Sequence, residues 1–292
     1  MTATADGLVI VDKPAGLTSH DVVARLRRLT GTRRVGHGGT LDPMATGVLV
    51  VGVGKATRLL GHLALAEKEY QATIRLGQAT STADAEGEVI SGAPAGALTL
   101  DAVRAAAHKL TGEIQQVPPA VSAVKVAGTR AYRLARAGTT PVLAPRAVTV
   151  RSFCISSERR AGDHLLDVDA TVTCSSGTYI RALARDLGEA LGVGGHVTAL
   201  RRTRAGAYDL GMARTLGQLE AELSLIPLAR AAADAFRSRQ LTGDEARRLS
   251  HGGRLPGESG HPGPEAAFAP DGTLIALVEE KDGQIRPVVV FV

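Results

Sequence analysis

The sequence predicts an α+β fold: a mixed, largely antiparallel sheet with flanking helices, carrying a small β-rich unit at its C-terminal end. Three observations carry that prediction. Segments of period two, such as Tyr70, Ala72, Ile74 and Leu76, read as half-buried strands. Segments of helical spacing, such as Ile180, Leu183, Ala184, Leu187 and Leu191, read as amphipathic helices. The two kinds do not alternate in the strict strand–helix–strand order of a parallel α/β fold.

Taken in order, Thr18 or Ser19 can cap a helix whose apolar face is Val22, Val23, Leu26 and Leu29, opposite Arg25, Arg27 and Arg28. Val48 to Val53 is a buried strand by its length and branching, and a short helix from Ala56 to about Ala66 is predicted to join it to the strand from Lys68. Alanine-rich Leu98 to Gly112 reads as a helix with a glycine stop. From Gln116 to Arg146, prolines and basic residues fit no single regular element; the stretch reads as a basic excursion with one short helical piece around Ala131 to Ala137. Two strands follow, AVTVRSF and LLDVDATVTCSS, the second with Leu166, Val168, Ala170, Val172 and Cys174 on one face. The next helix takes Ser176 or Thr178 as its expected cap.

The main domain is expected to span residues 1–228 and the small unit 229–292. That unit ends in two short strands around Asp282-Gly283, a strong hairpin signal. Its size is marginal for independent folding, so docking on the main domain is predicted.

With 292 residues and 44% hydrophobic composition the chain can bury a sizeable core. A net charge of +5 suits a polyanionic partner, and equally an ordinary basic surface. No stretch reaches eighteen apolar residues, and the N-terminus lacks the pattern of a secretory signal. Two cysteines, Cys154 and Cys174, cannot form a disulfide framework; both are expected reduced, on neighbouring strands, in the cytoplasm. The histidines follow no metal-ligand spacing, so no metal is predicted. VGVGKATR suggests a phosphate-binding loop but fails twice: Leu49 stands where the first glycine is required, and Ala56 replaces the Ser or Thr.

The most unusual stretch runs from Arg33 to Thr57, where glycines, one Asp and a Pro interrupt regular structure. Pro43 biases Asp42 toward an extended backbone just before a buried strand, a good mount for a fixed carboxylate. By itself, an Asp before Pro is more often a turn former than a catalyst. Arg181, at the start of its helix, reads locally as a surface arginine, and Tyr70 as a core residue of its strand.

The motif GHGGTLDPMATGVL resembles the catalytic motif of the TruB family of pseudouridine synthases, and the resemblance continues in order through VDKPAGLTSHDVV, the Lys68-Glu69-Tyr70 strand, QVPPAVSAVK and SSGTYIRALARDLG. It implies the pseudouridine synthase fold with a PUA-like C-terminal part, and an isomerase of the stand-alone bacterial type. The substrate implied is tRNA, bound by its T-arm, with the T-loop uridine at position 55 converted to pseudouridine without cofactor or metal by a monomeric enzyme. Asp42 is then the essential carboxylate, Arg181 its partner, and Tyr70 the platform under the flipped uracil. Tyr179 and Leu200 line the same pocket, and His37 helps to flip or hold the T-loop. The basic excursion, about 116–146, corresponds to a thumb loop that pins the T-arm through Lys125, Arg130 and Arg133. Two alternatives stay open: a guide-RNA-dependent synthase subunit, and a non-catalytic tRNA-binding or folding module.

The implied roles are physically coherent. An arginine beside a carboxylate favours its charged form and fixes its orientation. An aromatic face replaces part of the stacking that an extruded base loses, roughly 1–3 kcal/mol per base. Phosphate contacts would fall to Arg33, Arg34, Lys125, Arg130, Arg133, Arg136, Arg201 and Arg202, and would make affinity salt-dependent.

Overall fold

Runs of branched apolar residues lacking alternation need cover on both faces, and the chain begins with one. In the computed structural model, which describes residues 6–122, 125–126, 129–130, 143–257 and 260–292, strand β1 (Gly7–Lys13) leads through helix α1 (Ser19–Thr30) to β2 (Val35–Gly38) and β3 (Thr46–Val53). A 3₁₀ turn (Gly54–Arg58) and helix α2 (Leu60–Leu63) precede β4 (Lys68–Leu76), followed by a hairpin of β5 (Ala79–Thr80) and β6 (Val89–Ser91). Next come α3 (Leu100–Lys109), β7 (Gly112–Gln116), the short pair β8 (Lys125–Val126) and β9 (Thr129–Arg130), β10 (Arg146–Arg160) and β11 (Leu166–Cys174). Helix α4 (Ile180–Ala190), β12 (Gly195–Ala205), β13 (Tyr208–Asp209), α5 (Leu216–Ala221), β14 (Ile226–Pro227) and α6 (Leu228–Ala235) complete the first part. The last part comprises β15 (Arg237–Gln240), α7 (Gly243–Ser250), β16 (Leu255–Pro256), β17 (Glu265–Phe268), β18 (Leu274–Lys281) and β19 (Gln284–Val290).

The strands form a ten-stranded sheet in the order β14-β1-β3-β12-β4-β11-β10-β7, with β2 beside β3 and β13 beside β12. Its described pairings are antiparallel except for β3 with β12, which makes the sheet mixed. On one face, Val9, Val11, Leu49 and Val51 share a core with Val22 and Leu26 of α1, Val103 of α3, and Leu183 and Leu187 of α4. On the other, Leu8, Ile10, Val48 and Val50 meet Ala231 and Ala232 of α6 and Phe268, Leu277 and Phe291 of the C-terminal part. Burial on both faces explains why β1 and β3 read as unbroken apolar runs.

The second core face is also where the C-terminal five-stranded sheet, β15-β17-β18-β19-β16, docks, as its small size predicts. Its hairpin turns at Asp282 (φ 56°) and Gly283 (φ 68°), both left-handed, as the two-residue turn that suits twisted strands requires. Cys154 on β10 and Cys174 on β11 are free thiols on adjacent strands.

Two local expectations need correction, and the cap of α1 is settled between its two candidates. The segment after β3 is not one helix: Leu59 closes a 3₁₀ turn onto Ala56, and only Leu60–Leu63 is α-helical. Thr18 caps α1 through a reciprocal capping box with Asp21, which leaves Ser19 free for another task. Helix α4 is capped neither by Ser176 nor by Thr178; Tyr179 holds the N-cap position, and the Gln116 amide accepts from its N–H (2.8 Å) and donates to its carbonyl (3.1 Å). That partner is distant in sequence, so no local pattern shows it. The helical piece around Ala131 to Ala137 lies outside the described residues.

Candidate active site

The loop between β2 and β3 carries Asp42. Gly39 enters it at φ +79°, a left-handed angle, with Arg202 and Lys68 atoms 3.5 Å from where a Cβ would stand. Ser19, freed from capping, donates its hydroxyl to the Leu41 carbonyl (3.1 Å) and accepts from the Leu41 N–H (2.9 Å). The Ala45 N–H closes a turn onto the Asp42 carbonyl (3.1 Å), and the Pro43 carbonyl accepts from Gly16 N–H (2.8 Å) and Lys13 Nζ (3.2 Å). Asp42 is therefore both a turn residue and a fixed carboxylate.

Arg181, the second residue of α4 and only 3% exposed, donates from Nε to Asp42 Oδ2 at 2.9 Å. Its other nitrogens are also held: Nη1 donates to Thr82 O (2.8 Å) and lies 3.4 Å from Asp84 Oδ2, and Nη2 donates to Val121 O (2.8 Å). So Arg181 is no surface arginine; a guanidinium fork with every edge occupied has one orientation. Asp84 is buried, whereas the Asp42 side chain is 35% exposed, so the open carboxylate of this triad is Asp42.

Strand register supplies the walls. Leu200 lies opposite Ala72, and Arg202 opposite Tyr70, which places Leu200, Arg202 and Tyr70 on one sheet face. Together with Asp42, Lys68, Tyr179 and Arg181 they line a cavity of about 240 Å³, small beside the roughly 300–1,000 Å³ typical of drug-sized pockets. Burial pushes the Tyr70 hydroxyl pKa up, against the opposing pull of Arg202, so the phenol is neutral at ordinary pH. Burial likewise raises that of Tyr179.

The sequence-predicted residues thus divide. Asp42, Tyr70, Tyr179, Arg181 and Leu200 converge on one cavity. His37 does not line it; it sits half-buried on β2, edge-on to His20 (ring centroids 5.3 Å apart). Burial, then the charges of His20 and Arg202, lower its pKa to about 4. Lys125 is in backbone register with Arg130 in the β8–β9 pair, and Arg133 and Arg136 lie outside the described residues.

Two of the suggested phosphate contacts are corrected. Arg202 is 1% exposed and donates to Val48 O (2.6 Å) and Gly39 O (2.9 Å), so it braces the Asp42 loop from inside. Arg201 is engaged as a fork on Asp12 (3.0 and 2.7 Å). Arg33 and Arg34 remain exposed.

Lys68, Asp84 and Gln116 were not legible as site residues. The one local hint for Asp84 is its neighbour Ala83, a non-glycine residue at φ 59°, and that appears only in the structure. The rejection of a phosphate loop at VGVGKATR holds in space too, because the Lys55 N–H already donates to Asp6 Oδ1 at 2.7 Å. Among the described residues no cluster of three or more His, Cys, Asp or Glu could hold a metal, and no helix is long and apolar enough to cross a membrane.

A buried arginine orienting a half-open carboxylate in a small cavity also lined by tyrosines can support nucleophilic or charge-stabilising chemistry. Comparison with known proteins gives that site a family. Residues 27–180 match the model of the TruB family pseudouridylate synthase N-terminal domain, residues 181–233 a tRNA pseudouridylate synthase B C-terminal domain, and residues 236–292 the C-terminal domain of tRNA pseudouridine synthase II. The chain belongs to the TruB family of pseudouridylate synthases.

Among its relatives, tRNA pseudouridine synthase B of Thermobifida fusca is 64% identical over 290 residues, covering 98% of this chain and 99% of the relative. The protein of the same name from Mycobacterium tuberculosis is 54% identical over 292 residues, covering all of this chain and 97% of the relative. Of solved structures, a Cbf5-Nop10-Gar1 complex matches with TM-score 0.74 and 28% identity, over 98% of this chain and 85% of the matched chain. An H/ACA RNP bound to a substrate RNA containing 2′-deoxyuridine matches with TM-score 0.73 and 25% identity, over 98% and 85%.

Proposed function

We propose that this tRNA pseudouridine synthase isomerises the T-loop uridine at position 55 of tRNA, with Asp42 as the reacting carboxylate and no cofactor. The observation that carries the reading is the Asp42–Arg181 pair opening on a cavity walled by Tyr70. The reaction breaks the bond from ribose C1′ to uracil N1, turns the held base, and joins C1′ to C5; a proton leaves C5 and one arrives at N1. Nothing is consumed, so the stoichiometry requires no redox partner or nucleotide. Arg181 aligns Asp42 toward the nucleoside, Tyr70 faces the extruded base, Tyr179 and Leu200 close the pocket, and His37 holds the T-loop near the Gly38-Gly39 turn. Lys125, Arg130 and Arg133 grip the T-arm backbone.

In the same reading residues 1–228 form the catalytic domain and 229–292 its support, and the enzyme works as a cytoplasmic monomer. Relatives named tRNA pseudouridine synthase B, matched over nearly their whole length, favour a stand-alone enzyme over a subunit of a multiprotein complex such as the Cbf5-Nop10-Gar1 neighbour. The test is to incubate wild type and Asp42→Asn, each purified alone, with unmodified tRNA transcript and map pseudouridine along the T-arm. Modification by wild type only, confined to position 55, is expected. Equal activity in the two proteins would remove Asp42 from the chemistry, and no activity without added guide RNA would point to the other branch.

A further inference from the structure

The charges around the cavity separate into two groups with different balance. Arg181 faces two carboxylates, Asp42 and Asp84. Arg202 and Lys68, by contrast, have no carboxylate partner among the described residues. The Arg202 guanidinium is satisfied by the Val48 and Gly39 carbonyls and faces the Tyr70 hydroxyl. The Lys68 ammonium donates to Ala64 O and Ala66 O, both at 2.7 Å, and is 7% exposed. An ammonium has three N–H donors, so one of those on Lys68 is left for a ligand, on a side chain that lines the cavity. Two buried cations held only by carbonyl dipoles are costly unless an anion arrives.

The proposed reaction creates such an anion. When C1′–N1 breaks, the electron pair stays on N1 and spreads over the uracil carbonyl oxygens, whether C1′ bonds to Asp42 or the sugar loses a C2′ proton. When C5 attacks C1′ that pair becomes the new bond, and the anion is gone before N1 takes up its proton.

We infer that Lys68, with Arg202 behind it, is the cationic wall that stabilises the detached uracil anion, the third Lys68 N–H donating to a uracil carbonyl oxygen. The ammonium keeps its own proton throughout and acts as a preorganised charge placed where charge develops. The inference rests on the proposed pseudouridine chemistry. Burial supports it with a measurable handle: desolvation, then the charge of Arg202, lower the Lys68 pKa to about 8, with Cys174, its partner on β11, opposing. The other groups facing it are Tyr70 beside it on β4, and Asp42 and Arg181 across the cavity. Lys13, under the Asp42 loop, is a second lysine lowered to about 8, again chiefly by burial, so the source of an alkaline limb has to be told apart by mutation.

Single-turnover rates are measured on a T-arm stem-loop carrying uridine or 5-fluorouridine at the target, as loss of the original nucleoside after digestion, with filter-binding affinities alongside. Fluorine stabilises the uracil anion intrinsically and so lessens its need for an external cation. Lys68→Met is expected to slow uridine conversion at least 100-fold, to change affinity less than threefold, and to lose at least fivefold less on 5-fluorouridine. Wild type is expected to lose activity on the alkaline side of pH 8, and Lys68→Arg to keep activity there. Equal slowing of both substrates, wild-type rates in Lys68→Met, or an unchanged alkaline limb in Lys68→Arg would overturn the assignment. If Lys68→Met does not fold, the pH comparison of wild type with Lys68→Arg decides alone. Inactive wild type would instead refute the pseudouridine reading itself.

Discussion

Arg181→Lys is the sharpest perturbation of the site because it keeps the charge and removes the geometry. The guanidinium serves four oxygens at once: Asp42 Oδ2 at 2.9 Å, Thr82 O and Val121 O at 2.8 Å, and Asp84 Oδ2 at 3.4 Å. An ammonium is a point charge on a shorter reach, and cannot satisfy Asp42 from Nε while holding carbonyls on the two far nitrogens. It will settle either on Asp84 with the two carbonyls or on Asp42, and in both cases the carboxylate loses its fixed aim. One misdirected charge-assisted hydrogen bond at a reacting group is worth about 3–4 kcal/mol in the transition state, or roughly 10²–10³-fold in rate. RNA binding should hardly change, because Arg181 is 3% exposed and offers no surface to phosphate. Single-turnover kinetics with saturating enzyme, paired with filter binding, separates the two quantities. A loss of affinity as large as the loss of rate, or a rate within a few fold of wild type, would refute the aiming role.

Gln116→Ala removes both hydrogen bonds that fix the start of α4, so a urea melt should show a loss of about 1–2 kcal/mol, the usual cost of a lost cap, with reduced turnover from a looser Tyr179. For His37, burial gives a folded pKa of about 4 against an ordinary 6.5. The unfolded chain therefore binds the proton first on acidification. Stability is unaffected above about pH 6.5 and falls as pH drops toward 4, by up to ~3 kcal/mol, and His37→Gln should flatten that part of a pH series of denaturant melts.

How far the sequence spoke depended on the range of the interaction. Period-two burial placed β4 and β11 correctly because each strand's face is written in its own residues. Asp282-Gly283 fixed a hairpin for the same reason. The Asp42 loop was conspicuous through its glycines and proline, but its companions were not. Arg181 looked like a surface residue until the fold brought Thr82, Asp84 and Val121 around it from the β5–β6 hairpin and the turn after β7. Arg202 read as a phosphate contact because basic neighbours look alike in one dimension. Only the pairing of β12 with β4 and β3 turns its side chain inward and that of Arg201 outward onto Asp12.

That inversion bears on how the site manages charge. A strand alternates its side chains, so Arg201 and Arg202 must point to opposite faces; one is paired with Asp12 and the other is buried against Tyr70, donating to the Val48 and Gly39 carbonyls. The cavity is lined by two kinds of charge: the Asp42 carboxylate held by Arg181, which suits a developing positive charge on the sugar, and Lys68 and Arg202, without a carboxylate partner among the described residues, which suit a negative charge on the base. In the proposed reaction, breaking the bond between sugar and base creates both charges at once. A cavity polarised this way stabilises the separated state more than the intact nucleoside, and that difference is what lowers the barrier.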